Sequence, residues 1–133
     1  MNGVLWVLQV LLAAAFIAHG WLMVAPPAEM VAMMDEQLGR EFRIFIGVAE
    51  LLAAVGLILP GVTRILPWLT ALAAAGLMIV VVSATVLHLF RGEIGSAAIT
   101  ALLVVLTTFV AYMRWRVKPI APRNGKMLTR EVA

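Results

Sequence analysis

The chain of 133 residues contains no cysteine. Dithiol chemistry, thiolate metal sites and disulfides are therefore excluded, and the redox compartment cannot be read from cysteine usage. Charge is also scarce. Only 13% of residues are charged and 64% are hydrophobic, against about 25% and 45–50% in an average soluble domain. A domain this small exposes much of its surface, and water would demand more charge there than the sequence holds. Lipid makes no such demand. The stretch before the first apolar run also has no basic n-region, and the run is long for a cleaved leader, so it reads as a retained helix.

What is present is four apolar runs, at 4–24, 44–59, 65–90 and 94–113, separated by short polar or proline-bearing breaks. A helix of about 20 residues covers the ~30 Å hydrocarbon core. These runs therefore predict an all-α fold, a four-helix transmembrane bundle occupying 1–114, embedded in a lipid bilayer. Pro26 and Pro27 end the first run, and Pro60-Gly61 is read as the stop of the second. Between them, 28–42 places Met30, Met33, Met34 and Leu38 at helical spacing among acidic residues. This predicts a short interfacial helix, able to cover a site as a lid. The tail, 115–133, is basic and proline-containing and is expected to be disordered.

The ten basic residues divide seven to three. Arg64, Arg114, Arg116, Lys118, Arg123, Lys126 and Arg130 share a side with both termini, and Arg40, Arg43 and Arg91 lie opposite. Basic flanks remain cytoplasmic, so the expected topology is a multi-pass protein of the cell membrane with both termini in the cytoplasm. The basic tail thus reads as a topology signal, and no nucleic-acid partner is expected.

Each span carries a stripe of small or polar residues predicted to face inward. These are Gln9, Ala13, Phe16, His19 and Gly20; then Arg43, Gly47, Glu50, Ala54 and Leu57. The third has Thr70, Ala73, Ala74, Leu77, Val81, Ala84, Thr85 and His88; the fourth has Ser96, Thr100, Leu103, Thr107, Ala111 and Arg114. Small residues allow close helix approach, and Ser/Thr hydroxyls can bond across interfaces. The bland reading of the stripes is a packing seam.

Glu50 is the most informative single residue. A carboxylate inside a span costs a few kcal/mol even on lenient scales, so it must face the bundle and find a partner. With the topology above, His19, Arg43, Glu50 and His88 all fall in the outer half, and the expected site is a pocket formed by these four. Leu12, Phe16, Leu77 and Val81 are expected to wall it. A Glu50–Arg43 or Glu50–His88 pair that only fixes helix register is the structural alternative.

The segments Arg43-Ile44-Phe45-Ile46-Gly47-Val48-Ala49-Glu50, Gly56-Leu57-Ile58-Leu59-Pro60, Ala73-Ala74-Ala75-Gly76-Leu77 and His88-Leu89-Phe90-Arg91-Gly92-Glu93, with Ala111-Tyr112-Met113-Arg114, resemble the DoxX-like family of small four-helix membrane proteins. The resemblance runs over nearly the whole of 4–114. It implies kinship with membrane subunits similar to those of thiosulfate:quinone oxidoreductases, with some members linked to oxidative-stress complexes. A role using the chain's own thiols does not carry over.

Two functions follow as expectations, and whether the chain is an enzyme stays open. One is a subunit of a quinone-linked or redox-associated complex, in which His19 or His88 donates to a quinone carbonyl and Glu50 exchanges the proton. With no electron-transfer motif in the chain, a membrane or redox protein partner would supply electrons. The other is a non-catalytic scaffold or assembly factor. Haem ligation by His19 and His88, and a two-His-one-carboxylate metal site with Glu50, stand behind the quinone reading. Transport along the Glu50 stripe stands with them.

Overall fold

The computed structural model describes residues 1–123. Five helices and one π-helical turn account for most of them: α1 Asn2–Val24, α2 Ala28–Leu38, α3 Arg40–Thr63, α4 Trp68–Phe90, α5 Ile94–Tyr112 and the π turn Met113–Val117. No strand forms among the described residues. α1, α3, α4 and α5 with its π turn are each long and apolar enough to cross a membrane. In no span is more than 28% of the apolar window buried inside the protein. Side chains such as Leu11, Phe45, Leu52, Ile79 and Val105 face outward, and only lipid stabilises so wide an apolar surface.

The long helices follow one another around the bundle in the order α1, α3, α4, α5, with α5 closing lightly on α1. The core is a column of Leu12, Ala13, Phe16, Ala54, Leu57, Ala74, Leu77, Val81 and Val110. Leu12, Phe16, Leu77 and Val81, expected to wall a cavity, instead pack into this column with no more than 3% exposure. Their volume is used up by one another.

Glycine brings α1 and α3 into close backbone contact. A Cβ built on Gly47 would lie 2.8 Å from the Gly20 carbonyl oxygen and 2.8 Å from Met23 Cβ. One built on Gly20 would lie 2.9 Å from the Gly47 carbonyl oxygen. Two backbones in contact exchange dispersion attraction that lipid tails cannot offer, which is the main source of helix association in a bilayer.

Four boundaries differ from the sequence expectation. Pro60 does not stop α3, which runs to Thr63. Proline removes the N–H that would reach the Gly56 carbonyl and loosens that turn, yet neighbouring helices can supply donors to such turns in a membrane. Gln9 of α1 bonds the next carbonyl of this turn, its Nε2 donating to that of Leu57 at 2.6 Å. The segment 28–42 is helical only as α2, since Gly39 takes a φ of 79° and Arg40 begins α3. α4 starts at Trp68, after a loop, rather than at Ile65.

The fourth difference is the tail. Residues 115–123 are ordered against the bundle: the Arg123 amide donates to the Arg64 carbonyl at 3.0 Å, and Arg64 Nε donates to the Ala121 carbonyl at 2.9 Å. The rest of the expected disordered tail, including Lys126 and Arg130, lies outside the described residues.

The hydroxyls also depart from expectation. Thr85, Thr100 and Thr107 donate to carbonyls one turn back on their own helices rather than across an interface. A Ser/Thr hydroxyl always has that local acceptor within reach.

The glycine contact predicts opposite effects at two positions. Gly47→Ala forces α1 and α3 apart and should destabilise by about 1–3 kcal/mol, the usual cost of overpacking. Gly76 has nothing within 4 Å of a built Cβ, so Gly76→Ala should be neutral or stabilise by up to ~1 kcal/mol through helix propensity. Equilibrium unfolding of the two variants in detergent measures both; equal effects would show that the α1–α3 approach is not limiting.

Candidate functional site

Two polar clusters sit at opposite ends of the bundle. At the end carrying α2, the glycine contact brings His19, which precedes Gly20, beside Glu50, one turn after Gly47. His19 Nδ1 donates to Glu50 Oε2 at 2.7 Å. The carboxylate is buried, with 3% side-chain exposure, while the imidazole is 49% exposed. With Glu50 ionised, Nδ1 carries a ring proton, so Nε2 is an acceptor in the neutral ring and a donor once the ring takes a second proton. Nε2 has no hydrogen-bond partner among the described residues. The pair therefore joins a buried acid to the bundle surface through one ring, an arrangement that can pass a proton between them.

Arg43 stands two turns nearer the end of the bundle and performs a different task. Its Nε donates to Asp35 Oδ1 of α2 at 2.7 Å, and its Nη1 donates to the Met23 carbonyl. Pro26 and Pro27 lack N–H groups, so the last carbonyls of α1 need donors from elsewhere. One guanidinium thus ties α1, α2 and α3 together while only 4% exposed. No hydrogen bond joins Arg43 to Glu50.

His88 is placed elsewhere again. Its Nδ1 bonds Glu93 Oε2 across the α4–α5 turn, and Arg91 of the same turn donates to the Gln37 carbonyl of α2 at 3.0 Å. Of His19, Glu50 and His88, expected to converge, the first two share a hydrogen bond and His88 bonds Glu93. The physical reason is local: Glu93 lies five residues on, and a turn partner requires no crossing of the bundle. Among the described residues, no group of three or more His, Asp or Glu side chains forms a constellation able to hold a metal.

The second cluster, at the end carrying the termini, is centred on Arg114. Its Nε donates to Gln9 Oε1 at 2.6 Å; its Nη1 donates to Asn2 Oδ1 at 2.7 Å and to the Lys118 carbonyl at 3.2 Å. Trp6 lies under the guanidinium, with Cζ 5.4 Å from the ring centroid, a cation–π distance. Sequence reasoning put Gln9 and Arg114 on inward faces but did not join them. The signal was available: antiparallel first and fourth spans bring the start of one and the end of the other to the same level.

The architecture defines a class first: a multi-pass membrane protein built as a four-helix bundle with an ionisable group buried at each end. The family follows from comparison. The sequence profile of the DoxX-like family matches residues 7–110, most of the chain, and the protein belongs to that family. No curated protein matches the chain. No solved structure matches it either.

The bonding pattern predicts which residues communicate. Arg43→Ala and Asp35→Ala should be non-additive by about 1.5–3 kcal/mol, the worth of a charge-assisted hydrogen bond. Asp35→Ala should be the more damaging single change, since it leaves a buried guanidinium short of its anion. Arg43→Ala combined with Glu50→Ala should add within ~0.5 kcal/mol. Unfolding of the single and double variants in detergent measures these terms, and coupling of Arg43 to Glu50 in place of Asp35 would refute the assignment.

Proposed function

We propose that the protein is a small membrane-embedded subunit that presents the His19–Glu50 pair to a quinone or another apolar molecule bearing a carbonyl. The observation that carries this reading is the asymmetry of the pair: a carboxylate at 3% exposure bonded to an imidazole at 49% exposure. Here the ring reaches the lipid-facing surface, where a hydrophobic ligand would arrive already concentrated. A protonated ring nitrogen can donate to a carbonyl oxygen, and the buried carboxylate can hold or return that proton.

The electrons for any quinone chemistry come, in this proposal, from a partner redox protein. Both termini are assigned to the cytoplasm, which places the pair toward the outer surface; the distribution of basic residues supports this orientation.

A second reading, a scaffold or assembly factor, draws support from Arg43. That residue spends its donors on α1 and α2, so it acts as a clamp rather than as part of a ligand site.

Ligand binding separates the two. Trp21 is two residues from His19 and 63% exposed, so a short-chain quinone bound at His19 should quench its fluorescence. Titration of the purified protein should give saturable quenching, weakened about tenfold or more in His19→Ala, the loss expected for one charge-assisted contact. Quenching that is unsaturable, or equal in His19→Ala, would remove the quinone reading and leave the scaffold.

A further inference from the structure

The proposed function makes no use of the cluster at the opposite end, and the cation at its centre has no counter-ion among the described residues. Arg114 is 4% exposed, and every group bonded to it is neutral: an amide oxygen from Gln9, another from Asn2 and the Lys118 carbonyl. None of the ion pairs among the described residues includes it. Its Nη2 is buried and has no hydrogen-bond partner among the described residues. A buried cation without an anion is one of the costliest arrangements a protein can hold, and a guanidinium with a free N–H edge is suited to a phosphate oxygen.

Arg114 also lines a cavity of about 400 Å³. The other walls are Leu66, Pro67 and Trp68 from the α3–α4 loop and the start of α4, and Trp115, Pro119, Ile120 and Pro122 from the π turn and the ordered tail. The Arg64–Ala121 and Arg123–Arg64 bonds hold the tail in place as one of these walls. At its lip Leu66 has a φ of 47°, a conformation that costs a non-glycine residue free energy and persists only where its surroundings enforce it.

We infer that this cavity binds an anionic phospholipid, with the phosphate on Arg114 and the upper acyl chain along the apolar walls. The same chemistry at the phosphate would suit free inorganic phosphate, but the lining favours the lipid. Among the described residues Arg114 is the one charged side chain lining it, and the remaining walls of hydrocarbon, proline and indole suit an acyl chain more than a solvated free anion. The cavity lies where the spans end and Trp68 and Trp115 sit, the level at which headgroups meet the acyl region. Arg116, Lys118 and Arg123 are exposed at the same end and would draw anionic lipid toward it.

The test uses the purified full chain in neutral detergent, with phosphatidylglycerol, phosphatidylcholine or inorganic phosphate added separately. Native mass spectrometry reads retained adducts, and a thermal melt reads stabilisation. Phosphatidylglycerol should be retained and raise the Tm, whereas phosphatidylcholine and phosphate at equal concentration should do neither. Arg114→Gln should weaken phosphatidylglycerol binding by about tenfold or more. Because Arg114 also holds α1 and α5 together, a second variant guards against misfolding: Leu66→Glu. Leu66 is 55% exposed, so this change should leave the bundle folded while placing a carboxylate at the lip and abolishing lipid retention. Equal stabilisation by phosphatidylcholine, equal stabilisation by free phosphate, or wild-type lipid retention in a folded Leu66→Glu variant would each overturn the inference.

Discussion

A carboxylate inside an apolar span governs much of this structure. Glu50 cannot face lipid without a cost of a few kcal/mol, so α3 is oriented with that face inward and the rest of its stripe follows. Arg43, Gly47, Ala54 and Leu57 are all buried along with it. Glu50 must then find a donor, and the partner helix has to approach closely enough to offer one. Gly20 and Gly47 permit the approach, and His19 supplies the donor. The pairing of α1 with α3 is in this sense a consequence of where one acidic residue falls. The clamp formed by Arg43 and the bond from Gln9 to the Leu57 carbonyl reinforce the same seam nearer its two ends.

The sequence was most readable where the penalty for error in lipid is largest. The inward line of α3 matches its buried residues, because charged and small side chains leave that helix little rotational freedom. In α4 the stripe is buried at Thr70, Ala74, Leu77 and Val81 and half-buried at Ala73, Ala84, Thr85 and His88, where His88 takes Glu93, close in the chain, as its partner. In α5 and its π turn Thr107 and Arg114 are buried as expected and Thr100 is half-buried, but Ser96 is exposed while Ala97 and Val110 are buried. A hydroxyl that can bond its own helix carries little information about which way it faces.

Pairings were harder to read than faces. The depths of Arg43, Glu50, His19 and His88 made several partnerships feasible, and depth alone cannot choose among them. The choice depends on which helices are neighbours, and the order α1, α3, α4, α5 was not available from one sequence. For the same reason the Arg114–Gln9 contact, between residues far apart in the chain, went unread. Pro60 illustrates a different limit. Proline can end a helix or sit inside one, and here α3 continues through it to Thr63.

The two ends of the bundle thus hold different kinds of buried charge. The acid at one end is paired with a ring that reaches the surface; the base at the other is enclosed and held by neutral groups. The functional reading proposed for the first rests on a specific dependence of Glu50 on His19. A double-mutant cycle of His19→Ala and Glu50→Ala, followed by equilibrium unfolding in detergent, measures it most directly. If His19 is the donor that makes burial of Glu50 tolerable, removing His19 should be the costlier single change, and Glu50→Ala should recover part of that loss. The resulting coupling should be about 1.5–3 kcal/mol. Strict additivity, within ~0.5 kcal/mol, would mean that the two residues do not depend on each other and would contradict the pairing.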